Sequence, residues 1–121
     1  MSQRPSLFLI VFLLFSCGKD LPTLQGVDTE KFKEDKNACS GVRTAMEAPL
    51  QAEMAKLKGL SEANIIALLG RPDQNELYKR NQKFYYYFLS PGPGCATPDS
   101  SAHRLALRFN AMGYAQLVSI E

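Results

Sequence analysis

The apolar positions of this chain follow three patterns in turn. Leu7 to Phe15 reads LFLIVFLLF, an unbroken apolar run. From Phe32 onward, Phe32, Cys39, Val42, Met46, Leu50, Met54 and Leu57 recur at spacings of three, four and seven, which is one stripe on a long amphipathic helix. Past residue 74 the rhythm becomes alternating: Leu105, Leu107 and Phe109 are interleaved with Arg104, Ala106 and Arg108, as in a strand with one buried face.

Local signals set the expected boundaries. Asp28 or Thr29 can cap the first helix, with Glu30 placed favourably in its first turn. Ser40-Gly41 weakens its middle, and Pro49 predicts a kink or break around residues 47 to 49. A second, short helix is written in GLSEANIIALLGRPD, Gly59 to Asp73: Ser61 caps it, Leu60 can staple against Ile65, Gly70 closes it and Pro72 prevents its resumption. Strands are expected at Asn75 to Tyr78, Lys83 to Leu89, His103 to Phe109 and Tyr114 to Ile120, with KRNQ and NAMG as turns. Ser90 to Ser101 is too rich in Pro and Gly to be anything but loop. The expected fold is α+β, two N-terminal helices packed on one face of a small three- to four-stranded antiparallel sheet. Placing Phe84, Tyr86 and Phe88 with Leu105, Leu107 and Phe109 against the helices points Tyr85 and Tyr87 outward beside Arg104 and Arg108. Aromatics beside arginines suit a partner surface and equally suit ordinary cross-strand pairing.

The N-terminal run has a different logic. As a helix it would rise about 14 Å, against a hydrocarbon core of about 30 Å, so it cannot span a bilayer. One charge at Arg4, a short apolar middle and a small residue before a boundary make the anatomy of an export signal, residues 1–16. LFSC, Leu14 to Cys17, resembles the lipobox of bacterial lipoproteins. That resemblance implies diacylglyceryl transfer to Cys17, removal of the leader and acylation of the new amino terminus. Gly18 follows, where an inner-membrane retention signal would have Asp, so the implied address is the outer membrane, facing the periplasm or the cell surface. Residues 17–27, with Pro22 and Gly26, read as a lipidated tether with a reach of about 20 Å, and residues 28–121 as one domain.

Cysteine count then matters. With Cys17 of the three cysteines lipidated, Cys39 and Cys95 remain. They are either a disulfide, which export beyond the cytoplasm favours, or two buried free thiols. The absence of a C-x-x-C pair argues against a redox site. Charge excludes another class: 14 Lys and Arg are interspersed with 12 Asp and Glu, giving no basic patch for nucleic acid. His103 is the single histidine, with no acid or cysteine at a diagnostic spacing, so no catalytic residue, metal site or cofactor is expected.

KGLSEANIIALLGRPD, then the aromatic FYYYF, then LALRF with a glycine turn and a final apolar strand resemble the SmpA/OmlA (BamE-like) outer-membrane lipoproteins over Lys58 to Glu121. The resemblance implies a two-helix, three-stranded fold and a non-catalytic role beside the machinery that assembles outer-membrane β-barrels. The alternative is a periplasmic or surface inhibitor or ligand-binding lipoprotein.

Overall fold

The apolar stripe that begins at Phe32 does not fold as one helix. The structure, a computed structural model, describes residues 21–121; the expected export signal and the expected lipidation site Cys17 lie outside them. The stripe is divided among α1 (Thr29–Glu34), α2 (Val42–Ala45) and α3 (Glu47–Glu53). Asn37, Ala38 and Gly41 have φ of 58°, 57° and 79°, left-handed values that a right-handed helix cannot pass through. Buried Asp35 holds this reversal, its carboxylate accepting from the N–H of Ser40 at 2.8 Å and of Arg43 at 3.0 Å. The second interruption falls at Met46, which ends α2 and starts α3, just ahead of the expected position. Pro49 is the third residue of α3, where a backbone N–H would have no intrahelical acceptor, so the ring is accommodated. Phe32, Met46, Leu50 and Leu57 are buried as the stripe requires. Cys39 departs from it and is exposed within the reversal, between Ala38 and Gly41.

α4 (Glu62–Leu69) follows its local signals. Ser61 Oγ accepts from Asn64 N at 3.1 Å, and Gly70 ends the helix at φ 86°. The chain then forms a four-stranded antiparallel meander, β1 (Gln74–Tyr78), β2 (Gln82–Phe88), β3 (Arg104–Phe109) and β4 (Ala115–Ile120), in the order β1-β2-β3-β4. Thus the sheet is as expected at its larger size, whereas four short helices replace two. They cover one sheet face, with Phe32, Leu50, Leu57, Ile65 and Leu69 packed against Tyr87, Leu89, Leu105, Leu107 and Phe109. Residues 59–62 extend the β4 edge: Gly59 N donates to Ala115 O and Ala115 N to Leu60 O, each at 2.8 Å.

Ordered packing begins upstream of Asp28. Leu24 and Val27 are buried, Gln25 N donates to Glu53 Oε1 at 3.0 Å, and Lys56 Nζ donates to Thr23 O at 3.0 Å. The ammonium of Lys56, with the Gln25 N–H, holds the Glu53 carboxyl below the usual carboxylate range. Residues 23–27, expected within the tether, are therefore part of the packed body. Gly26 is required there, because at φ 80° an added Cβ would stand 2.8 Å from Pro49 Cβ. Among the described residues, no helix is long and apolar enough to cross a membrane.

At the far end of the sheet, the loop between β2 and β3 is pinned to the reversal after α1. Cys39 and Cys95 form a disulfide with Cα atoms 5.5 Å apart, and Gly92 N donates to Asn37 O at 2.9 Å.

Candidate interaction surface

The register of β2 on β3 decides which aromatics are available. Tyr85 lies opposite Leu107 and Tyr87 opposite Leu105, and residues directly opposite share a face. Tyr85 and Tyr87 are thus on the helix side, 7% and 0% exposed, contrary to the outward placement expected from the sequence. FYYYF is aromatic at every position, so alternation could not choose a face. The phenol groups choose it: Tyr87 donates to Gly70 O at 2.8 Å and Tyr85 to Glu62 Oε1 at 2.9 Å, contacts at the margin of the core that phenylalanine could not make. Burial, then the adjacent Glu62 carboxylate, pushes the Tyr85 phenol up to about 12. Burial also raises Tyr87, with lesser contributions from Tyr85 and Asp73.

The opposite face carries the other half of the run. Phe84, Tyr86 and Phe88 alternate outward and pair with Arg108, Ala106 and Arg104. No described helix covers this face, but Tyr86 and Phe88 are only 6% and 5% exposed, with Gly92 of the Ser90 to Ser101 loop lying against the Phe88 ring. Arg104 lies over the Tyr86 ring, 3.7 Å from its centroid, while its Nε donates to Glu121 Oε2 at 3.0 Å. Tyr86 donates to Glu76 Oε1 at 2.8 Å, and its phenol is likewise pushed up to about 12, first by burial and then by that bond. Phe84 is stacked with Tyr86 at 5.6 Å and meets Tyr78 edge to face at 5.4 Å. Tyr78 and Leu117 remain 43% and 49% exposed at the two sides of the face.

Between them stands Arg108, its guanidinium 6.0 Å from the Tyr78 ring centroid. Its Nε is shut away from solvent and, among the described residues, has no acceptor. The guanidinium makes no ion pair among the described residues. Arg104 and Arg108 are therefore together on the outer face, as the sequence reading placed them. Their aromatic neighbours are Tyr86, Phe84 and Tyr78 rather than Tyr85 and Tyr87. The tenancy of Phe84 and Tyr86 could have been found by asking which tyrosines had acceptors at the helix ends.

A groove of about 430 Å³ adjoins this face where the Ser90 to Ser101 loop meets the sheet, lined in part by Phe88, Pro93, Asp99 and Arg104.

A buried polar cluster that the sequence did not announce lies on the helix side. Arg43, 1% exposed, donates through Nη1 to Asp73 Oδ2 at 2.7 Å and to Phe88 O at 3.2 Å, and through Nε to Phe32 O at 2.8 Å. Asp73 also accepts from Asn37 N at 3.0 Å and Phe88 N at 2.8 Å. With bonds at Arg43 Nε and Nη1 and on both Asp73 oxygens, this cluster clasps the α1 to α2 segment to the sheet and presents no reactive atom to a cavity. His103 is exposed, with Nδ1 2.9 Å from Glu47 Oε2. Among the described residues, no group of three or more His, Cys, Asp or Glu is gathered to hold a metal ion.

Comparison of the chain with family models, with curated proteins and with solved structures finds no match.

Proposed function

We propose that this protein is a lipid-anchored lipoprotein of a bacterial envelope that acts as a non-catalytic protein-interaction module, docking its partner on the outer face of the sheet. The observation that carries the reading is Arg108, half-buried and without an ion pair among the described residues, on a helix-free face edged by exposed Tyr78 and Leu117. A partner that brings a carboxylate to the Arg108 guanidinium pairs its charge while covering Tyr78 and Leu117. Arginine and tyrosine in such a setting are frequent energetic anchors of interfaces. The lipobox-like LFSC supports the anchor, and the resemblance of residues 58–121 to the SmpA/OmlA family supports a partner within the β-barrel assembly machinery.

The test is capture of the full-length protein from detergent-extracted membranes through a C-terminal tag, beside an Arg108→Glu variant of equal thermal stability. Barrel-assembly proteins should accompany the parent chain and be depleted with the variant. Recovery of only soluble periplasmic proteins or small ligands sinks the adaptor reading. The groove beside Phe88 and Arg104 favours a second reading, a ligand-binding lipoprotein, which that outcome would support.

A further inference from the structure

Both hairpin turns of the meander lie at one end of the sheet, because β2 begins where β3 ends: Lys83 is paired with Phe109. The turn between β1 and β2 contains Arg80 and Asn81 at φ 57° and 65°; the turn between β3 and β4 contains Met112. Adjacent strands are spaced by about 4.8 Å, so the two tips stand roughly 10 Å apart. This end gathers nearly every large apolar side chain that the described residues expose. Leu77 is 83% exposed, Met112 80% and Tyr114 47%, with Tyr78 and Leu117 just behind them. Interleaved with them are Lys58, Lys79 and Arg80, all exposed and without an ion pair among the described residues. The nearby acid Glu62 is already engaged by Lys83 at 3.1 Å.

The start of the described chain points to the same end. Thr23 is held by Lys56, and Gly59, three residues farther on, bonds to Ala115 at the beginning of β4. From Cys17 to Leu21 is four residues, a reach of at most about 14 Å. An acylated Cys17 would therefore keep this end of the sheet close to the bilayer.

The geometry points to a second, non-covalent membrane contact: the two hairpin tips rest on an anionic phospholipid surface, with Leu77 and Met112 entering the headgroup region and Lys79, Arg80 and Lys58 facing the phosphates. This inference rests on the lipid anchor for its orientation but uses residues of its own. Apolar tips flanked by tyrosine and basic side chains suit that boundary, where the ring and the alkyl stems bury while the polar ends stay wet. Each cation near such a surface is worth about a fivefold change in equilibrium.

The chain has no tryptophan, so one introduced indole is a clean reporter. The full-length protein, purified from membranes, is reconstituted into vesicles of phosphatidylcholine with or without an anionic phosphoglyceride, each also prepared with brominated acyl chains. It carries Met112→Trp or Leu77→Trp, with Ser100→Trp in the loop at the opposite end as control. The brominated chains should quench emission from both tip probes strongly in anionic vesicles and leave the control bright. Lys79→Gln with Arg80→Gln should lower the ratio of docked to undocked tips about thirtyfold and bring the tip probes toward the control level. Intact mass reports Cys17 separately. An acylated protein whose tip probes stay as bright as the control overturns the inference and leaves the anchor standing. A bare Cys17 with tip probes still quenched on anionic vesicles overturns the anchor and supports the tip contact.

Discussion

Removing one side of the buried Arg43–Asp73 pair should be the most damaging polar change in this domain. Their side chains are 1% and 2% exposed, and their contact is 2.7 Å. Deleting one partner of such a pair generally costs about 3–5 kcal/mol, because a desolvated charge is left behind. The two ends are not equivalent. Arg43→Met leaves Asp73 still accepting from the backbone N–H groups of Asn37 and Phe88, so its loss should lie near the lower figure. Asp73→Ala strands the guanidinium and both N–H donors, each orphan worth roughly 1–3 kcal/mol, so its loss should reach or exceed the upper one. For about 100 residues, 1 kcal/mol moves the midpoint by roughly 4–8 °C, and Arg43→Met should therefore melt about 12 °C or more below the parent. Thermal and urea unfolding by circular dichroism, with the Arg43→Met/Asp73→Ala double variant closing the cycle, measures this. The double variant should be less damaged than the sum of its parts by about 1–3 kcal/mol. A loss under about 1 kcal/mol for either single variant, or strict additivity, would refute the view that this pair clasps the helical segment to the sheet.

Three further outcomes follow from local geometry. Cys39→Ser with Cys95→Ser opens a closure of sequence separation 56, which should cost about 4 kcal/mol on the chain-entropy model and appear as a lowered urea midpoint relative to the oxidised parent. Tyr85 and Tyr86 are held up to about 12 and Tyr87 is raised further; the folded state thus keeps protons that the unfolded chain releases from about pH 10. Their contribution is complete below about pH 10 and declines as pH rises toward 12, so tyrosinate absorbance and loss of ellipticity should climb together there. Flat stability across that window would contradict the buried placement. Ser61→Ala removes the acceptor for Asn64 N and should cost about 1 kcal/mol in equilibrium unfolding, with Ser61→Asp close to the parent.

What could be read from the sequence was whatever local chemistry alone determines. Ser61, Gly70 and Pro72 define α4 without help from the rest of the chain, and the alternation of β3 separates Leu105 and Leu107 from Arg104 and Arg108. The division of the first helix was hidden because Asn37 and Ala38 do not announce positive φ as glycine does. They adopt it because Asp35 and Asp73, distant in sequence from one another, supply acceptors for the N–H groups of Ser40, Arg43 and Asn37. Nothing in the sequence marks Arg43 as buried for the same reason: its burial depends on the arrival of Asp73, thirty residues away. β2 failed differently, since its uniform aromaticity matched either face and the choice rested on acceptors at Glu62 and Gly70, contributed by another element.

The same contacts explain why the outer face is suited to recognition. The inner side is fixed by the Arg43–Asp73 pair, the disulfide and the packed residues 23–27, so a partner meets a sheet whose main chain is already immobilised. Arg104 is held from two sides, by Glu121 and by the Tyr86 ring, and the Phe84 and Tyr86 rings lie nearly parallel, 4° apart. Ordering a rotamer-rich side chain at an interface costs about 0.5–1.5 kcal/mol, and that cost is here borne largely by the free fold. Arg108 differs from Arg104 in having no ion pair among the described residues, which makes it the position where binding would add an ion pair rather than exchange one. Were the hairpin tips to rest on a bilayer as proposed, the strands would stand away from it and this face would be turned sideways, open to a partner beside the anchor.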